Sequence, residues 1–383
     1  RRQRQMCIRD RLSAGAVQPV GGRYGGFSVG GQRTTQNNFV LDGLDNNGAE
    51  LAGAQRRSEM VKPSIDAIQE FKVQTNSYAA EYGRAMGGVV NVTTKSGTNQ
   101  FHGTVFGFVR NEALDAKNFF DPPDQDKPPF KRSQFGFSAG GPIIKDRLFI
   151  FGDWEGTRIR ESRTATSTIP TTRMRTGDFS ELSKDIIDPQ TGNPFEGNII
   201  PSNRIDPVAQ TLINLYPEPQ NSDLSANFVY NSPRNQDVDK WDIRTDWTVT
   251  DQDNLSFRFS KHDLLNPVAL TLPPPAYAGG FDWETSGINT GLTWNRVWTP
   301  TIVTSVRTGW NYGLFLRDNP SQTNGELLNA KYGITGGSMT NPGGFSIQSI
   351  SGYTNVGIGA FNPVDRNSQN SQLVGDLSWA VNN

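Results

Sequence analysis

From Phe101 onward, apolar and polar residues alternate with a period of two in eight stretches of about nine to fourteen residues. They cover residues 101–110, 134–142, 147–157, 239–249, 254–262, 286–298, 302–316 and 372–380. Between 239 and 249, Trp241, Ile243, Thr245, Trp247 and Val249 share one side, opposite Asp242, Arg244, Asp246 and Thr248. Between 302 and 316, Ile302, Thr304, Val306, Thr308, Trp310, Tyr312, Leu314 and Leu316 lie opposite Ser305, Arg307, Gly309 and Asn311. Stretches of this length suit a tilted strand crossing a bilayer. The alternation alone fits two architectures, a half-buried sandwich strand and a barrel strand with lipid outside and a wet lumen inside.

The connections separate the two. Residues 111–133, 158–238, 263–285 and 317–371 form long links, and 143–146, 250–253 and 299–301 form short ones, in strict alternation. In an up-and-down meander every long link then falls on one rim, the asymmetry of outer-membrane barrels. Trp241, Trp294, Trp298, Trp310 and Tyr312 near strand ends fit interfacial girdles, although tryptophan in a sheet is as often plain core packing. In the longest link, Asp206 followed by Pro207 predicts a helix N-cap, with Val208, Leu212 and Leu215 on one face and a stop before Pro217. A structured loop of this size needs a task, such as covering a mouth or touching a ligand.

Upstream the texture differs. Residues 13–38 are rich in Gly, Ser, Gln and Asn, and Phe39-Val40-Leu41 reads as a strand ended by an Asp42-Gly43 turn. Ser64 offers an N-cap for a helix of one to two turns through Ile68, and Glu70 to Gln74 alternates like a strand. Residues 13–97 thus read as a small mixed α/β unit. Residues 1–12, Arg-rich with no apolar segment behind them, read as a non-native leader.

Composition narrows the chemistry. The 383 residues include 40 Gly, 23 Pro and 39 aromatics, a turn-rich β profile, and the net charge of -1 with no basic stripe excludes a nucleic-acid partner. One cysteine, Cys7, can make no internal disulfide, and no apolar run reaches the length of a membrane helix. His102 and His262 lie outside any zinc or triad spacing. The 42–48 segment misses the calcium-loop register, and the Gly-rich 21–31 segment lacks a phosphate-loop ending. The carboxylates of 177–188 read as a solvated loop face. No catalytic constellation, metal site or cofactor is expected.

Ile68-Gln69-Glu70-Phe71-Lys72-Val73, then Tyr82-Gly83, then Gly87-Gly88-Val89-Val90-Asn91-Val92-Thr93-Thr94-Lys95, resemble the last part of the plug domain of TonB-dependent outer-membrane receptors. Phe39 to Gly43 is similar to an earlier strand and turn of that domain. The phrases at 136–156, 176–180 and 198–219 resemble the Oar-like subgroup. The resemblance covers about residues 20–383.

It implies a mainly β fold, an antiparallel transmembrane β-barrel, partial with about eight strands, preceded by a small α/β plug domain. Residues 13–97 would be the later part of the plug and 98–383 the first part of a barrel that closes with about 22 strands in such transporters. Plug-motif residues would be Asp42, Gly43, Glu70, Tyr82, Gly83, Gly87, Gly88, Asn91 and Lys95, with Gly87-Gly88 a tight turn and Gly97-Thr98 a hinge. Asp242, Arg244, Asp246, Arg258 and Arg307 would face the lumen and meet water, solute or the plug. Implied partners are outer-membrane lipid, a solute held by loops 158–238 and 317–371, and a TonB-type energy-coupling protein acting through a region absent here. The implied location is the outer membrane of a Gram-negative-type bacterium. Alternative readings are an adhesion or signalling receptor on the same barrel, and a soluble carbohydrate-binding β-sandwich.

Overall fold

The computed structural model describes residues 16–17, 28–33, 36–48, 59–75, 78, 83, 85–116, 129–276, 282–318, 326–336, 345–357 and 364–381. Residues 1–12 and Tyr82 therefore lie outside the described residues. A short ribbon of β1 (Ala16–Val17) and β2 (Ser28–Val29) accompanies two larger sheets. The smaller sheet holds β3 (Asn38–Leu41), β4 (Leu44–Asp45), β5 (Ile68–Gln74) and β6 (Val89–Thr94) in the order β4-β3-β6-β5. β3 runs parallel to β6, and the other pairs are antiparallel. Asp42 (φ 50) and Gly43 (φ 79) make the two-residue turn between β3 and β4, with positive φ at both central positions as a type I′ hairpin requires. Phe39, Leu41, Val90 and Val92 pack with Ala16, Val29, Met60 and Val61 into a small core.

Two local expectations take a specific form here. The helix expected after Ser64 is a single turn, in which Ser64 Oγ accepts from Ala67 N at 3.1 Å. The backbone then leaves at Ile68 to pair with Thr94 in the sheet, which ends any helix. Gly87 and Gly88 do not adopt positive φ. They are glycine because a Cβ on Gly87 would lie 2.4 Å from Asn37 Oδ1, and one on Gly88 3.0 Å from Val29.

The larger sheet is an antiparallel meander of β7 (His102–Asn111), β8 (Phe130–Ile144), β9 (Leu148–Ser167), β10 (Phe228–Thr248), β11 (Asp253–Asn266), β12 (Asp282–Thr299), β13 (Ile302–Asp318) and β14 (Val364–Trp379). Every stretch of two-residue period is one of these strands. All but β7 are longer than the alternation, and β9 and β10 lengthen most toward their long connection: β9 continues to Ser167 and β10 begins at Phe228. β10 pairs with β11 only from Asp237 onward, and β9 with β8 only up to Glu161. The far ends of β9 and β10 therefore stand out as a two-stranded ribbon, paired as far as Phe228 with Ser167.

One face of this sheet is bare. Trp241, Ile243 and Trp247 are 42%, 41% and 45% exposed, so neither tryptophan is sandwiched between layers. Register aligns Trp247 with Leu148, Leu255, Trp294 and Val306, and Trp241 with Trp154, Lys261, Ile288 and Tyr312. Between these rows the same face presents only uncharged residues, among them Ile150, Phe257, Phe259, Leu292 and Trp310. Six residues separate Trp241 from Trp247, about 20 Å of strand. The result is an apolar band edged by aromatic rings; no described helix is long and apolar enough to cross a membrane.

Beyond the ribbon, three long connections share a second core. Ile169, Leu215, Tyr216 and Phe228 pack against Leu270, Leu272 and Ala276, and against Leu328, Ile334, Phe345 and Val356. The helix Pro207–Ile213 contributes Val208, Leu212 and Ile213, with Asp206 capping it by accepting from Val208 N and Ala209 N. Tyr216 donates to Thr354 O at 2.7 Å, and burial pushes its phenol up to about 12. Burial also lowers the buried Arg175 guanidinium, which donates to Tyr216 O and pairs with Glu218. The 177–188 segment is more than a solvated face, because Asp188 is buried and ion-paired with Arg204 at 2.8 Å while Asp178 pairs with Arg173. Leu272 is fully buried in this cap. Leu272→Ala is expected to cost about 2–5 kcal/mol of cap stability. Limited proteolysis should show faster cleavage within 168–227 and 345–357, with the large sheet still resistant.

Candidate functional site

Side chains alternate across the large sheet, so the residues opposite the apolar band face the small unit. At one level the row runs Ser138, Asp153, Asp242, Ser260, Asn289 and Asn311, each paired in register with the next. Asp153 and Asp242 are buried side by side, and Ser64 of the small unit reaches both. Ser64 Oγ donates to Asp153 Oδ2, and Ser64 N donates to Asp242 Oδ2 at 3.1 Å. Asp242 also accepts from Ser260 Oγ, and in the adjacent row Lys240 pairs with Glu155 at 3.0 Å. Carboxylates removed from water need such donors, since burial without partners is strongly unfavourable.

The second anchor is the turn of the small hairpin. Asp42 accepts from Thr94 N at 2.9 Å and Thr94 Oγ1 at 2.7 Å, which ties the turn to β6. Its carboxylate then meets two cations of the large sheet, Arg258 Nε at 3.0 Å and Arg244 Nη1 at 3.4 Å. Arg258 is 3% exposed and also donates to Ser260 Oγ and Asn289 Oδ1. Arg244 is shared with Asp246 at 2.9 Å and donates to Thr94 O. Arg307 lies against Gly43 and pairs with Asp376 at 3.2 Å.

A cavity of about 580 Å³ opens beside this anchor. Asp42, Gly43, Gly83, Asn91, Arg244, Arg258 and Arg307 line it, so the structure brings residues of the small unit beside arginines 153 and more positions away in sequence. Glu70 and Lys95 lie elsewhere, lining a separate cavity of about 520 Å³ with Glu59, Lys62 and Asp66. Gly97 is clamped, since a Cβ there would sit 2.4 Å from Ile150 O and 2.8 Å from Gly141 O. Among the described residues no group of three or more His, Cys, Asp or Glu is arranged to hold a metal ion. Ser64, Asp153, Glu155 and Lys240 belong to the site although sequence reasoning passed over them. For the last three, the alternation of 147–157 and 239–249, carried through in register, would have placed them beside Asp242.

Comparisons with known proteins bear on what this arrangement is. The model of the outer membrane beta barrel domain family matches residues 93–383. The TonB-dependent transporter Oar of Myxococcus xanthus is 30% identical over 183 residues, 45% of this chain and 16% of the relative. The probable TonB-dependent siderophore receptor PirA of Acinetobacter baumannii is 34% identical over 95 residues, 24% of this chain and 11% of the relative. The chain thus spans only a minor part of the length of these curated relatives. Among solved structures, the outer membrane transporter YddB of Escherichia coli superposes with a TM-score of 0.54 at 11% identity, over 94% of this chain and 40% of that one.

Asp42→Ala would leave Arg258 buried without its carboxylate. Loss of one partner of a buried pair is expected to cost about 3–5 kcal/mol. Urea titration of the detergent-solubilised protein checks it, and an unchanged midpoint would show that the pair does not hold the small unit.

Proposed function

Because the chain belongs to the outer membrane beta barrel domain family, we propose that it is part of an Oar-like, TonB-dependent receptor in which residues 13–97 are the plug. Its place is the outer membrane of a Gram-negative-type bacterium, with the apolar band against lipid. On this reading residues 98–383 supply barrel strands, and Asp242, Arg244, Asp246, Arg258 and Arg307 face the lumen. The observation that carries the reading is the filling of the polar face: Asp42 and Ser64 reach from the small unit into buried charges of the large sheet. A soluble sandwich would instead bury the tryptophan face and leave the charged one wet.

The receptor binds a solute at connections 158–238 and 317–371, which the cap core draws together through Ile169, Leu215, Phe228, Leu328 and Phe345. An inner-membrane coupling protein then pulls on the plug, and the inner-face contacts release. No covalent chemistry is involved. Solute uptake by cells carrying the full-length gene, with and without the coupling protein, tests this: uptake should stop when the coupling protein is removed. Uptake that persists rejects the coupling, and binding without uptake favours an adhesion or signalling receptor.

The lipid contact has its own test. Ile243 lies within the apolar band, and Ile243→Arg should cost about 2–4 kcal/mol of folding into liposomes, depending on its depth. Folding measured against urea should shift accordingly, and an unshifted curve removes Ile243 from the lipid face.

A further inference from the structure

Strands β12 and β13 carry the same five-residue pattern in opposite directions. Gly287-Ile288-Asn289-Thr290-Gly291 lies against Gly309-Trp310-Asn311-Tyr312-Gly313 so that Gly287 pairs with Gly313, Asn289 with Asn311, and Gly291 with Gly309. The three pairs project to the covered face as a shallow trough with two amides at its centre. Both amides converge on one atom. Asn289 Nδ2 donates to Asp45 O at 3.0 Å and Asn311 Nδ2 donates to the same oxygen at 2.7 Å, with both asparagines buried.

The glycines on either side receive the rest of the small unit. A Cβ on Gly291 would lie 2.6 Å from Leu44 Cδ1, and one on Gly309 would lie 3.1 Å from it. At the other end, a Cβ on Gly287 would lie 2.2 Å from Met60 O, and one on Gly313 2.6 Å from Met60 Sδ. Asn46 joins the two seated segments: Met60 N donates to its carbonyl at 2.7 Å, and Val61 N to its side chain at 3.1 Å. The trough therefore grips the small unit by shape and by backbone, and Asn289 also accepts from Arg258, the cation that pairs with Asp42.

We propose that this paired Gly-x-Asn-x-Gly trough is the positioning surface that keeps the small unit seated across the bore, its glycine contacts adding a grip by shape to the Asp42 ion pairs. The inference rests on the plug reading above. Its signature is a ranking that ion pairing does not predict. At Gly287 the obstructing atom is a carbonyl oxygen of the main chain, which cannot swing aside. At Gly313 it is the flexible end of Met60, which can. Gly107 has nothing within 4 Å of its Cβ position and serves as a control.

The test is ion conductance of the full-length protein in planar lipid bilayers. Gly287→Ala should raise the fraction of conducting molecules roughly tenfold, the effect of overpacking one contact. Gly313→Ala should do less, and Gly107→Ala should match the parent. Should Gly287→Ala not insert, Asn311→Ala removes one of the two donors to Asp45 O without adding volume and without touching Arg258, and should leak in its place. Deletion of residues 13–97 separates the two ideas. If the deletion conducts while the folded trough variant stays silent, the trough does not hold the plug and this inference is overturned. If the deletion itself stays silent, the plug reading fails and the trough inference with it.

Discussion

A guanidinium taken out of water must be given a carboxylate, and at Arg258 that requirement joins two sheets into one structure. Arg258 belongs to a strand whose other face is apolar, so the two-residue period forces it toward the interior. Its carboxylate, Asp42, sits at the tip of a hairpin turn in a different unit, held there by Thr94. Neither partner is placed by its neighbours in sequence for the other's sake. The pairing works only if the turn, the strand register and the docking of the two sheets are all correct together, which gives a buried ion pair more value for specificity than for net stability.

The polar contacts around it divide into two kinds. Asp42, Ser64, Asp153 and Asp242 use charge or hydrogen bonds to charge, while the Leu44 and Met60 contacts use close approach to glycine. Charged contacts respond to solvent entry, because water competes for the same groups once the interface opens. Contacts made by shape persist until the surfaces separate by an ångström or so. A unit held by both is fixed in position by one and made releasable by the other.

Much of the fold was legible in the sequence, and the reason is the bare apolar face. Wherever one side of a strand meets lipid and the other meets polar groups, the alternation is forced, and all eight strands were found by it. The boundaries were missed beyond the band. Arg158, Arg160 and Arg163 on β9, and Ser232, Arg234 and Asn235 on β10, are polar on both faces, so the ribbon carries no period to read. The arginines and aspartates of the inner face were visible as the polar half of the pattern. Ser64 was not, because a serine before Ile65-Asp66 looks like a helix cap and its real partners lie 89 and 178 positions away. Of the cap core only the helix face of Val208, Leu212 and Leu215 was visible, because Leu272 and Phe345 come from irregular links, where apolar residues follow no repeat.

The ribbon of β9 and β10 ties the cap to the inner face through one continuous register. Trp241 and Asp242 occupy neighbouring positions on strands that also run out to Ser167 and Phe228. A slip of one position along that ladder would turn the tryptophans inward and send the aspartates into lipid. For the lineage that carries this protein, indels between the ribbon's tips are cheap experiments in recognition, whereas within the paired arms natural selection must preserve parity.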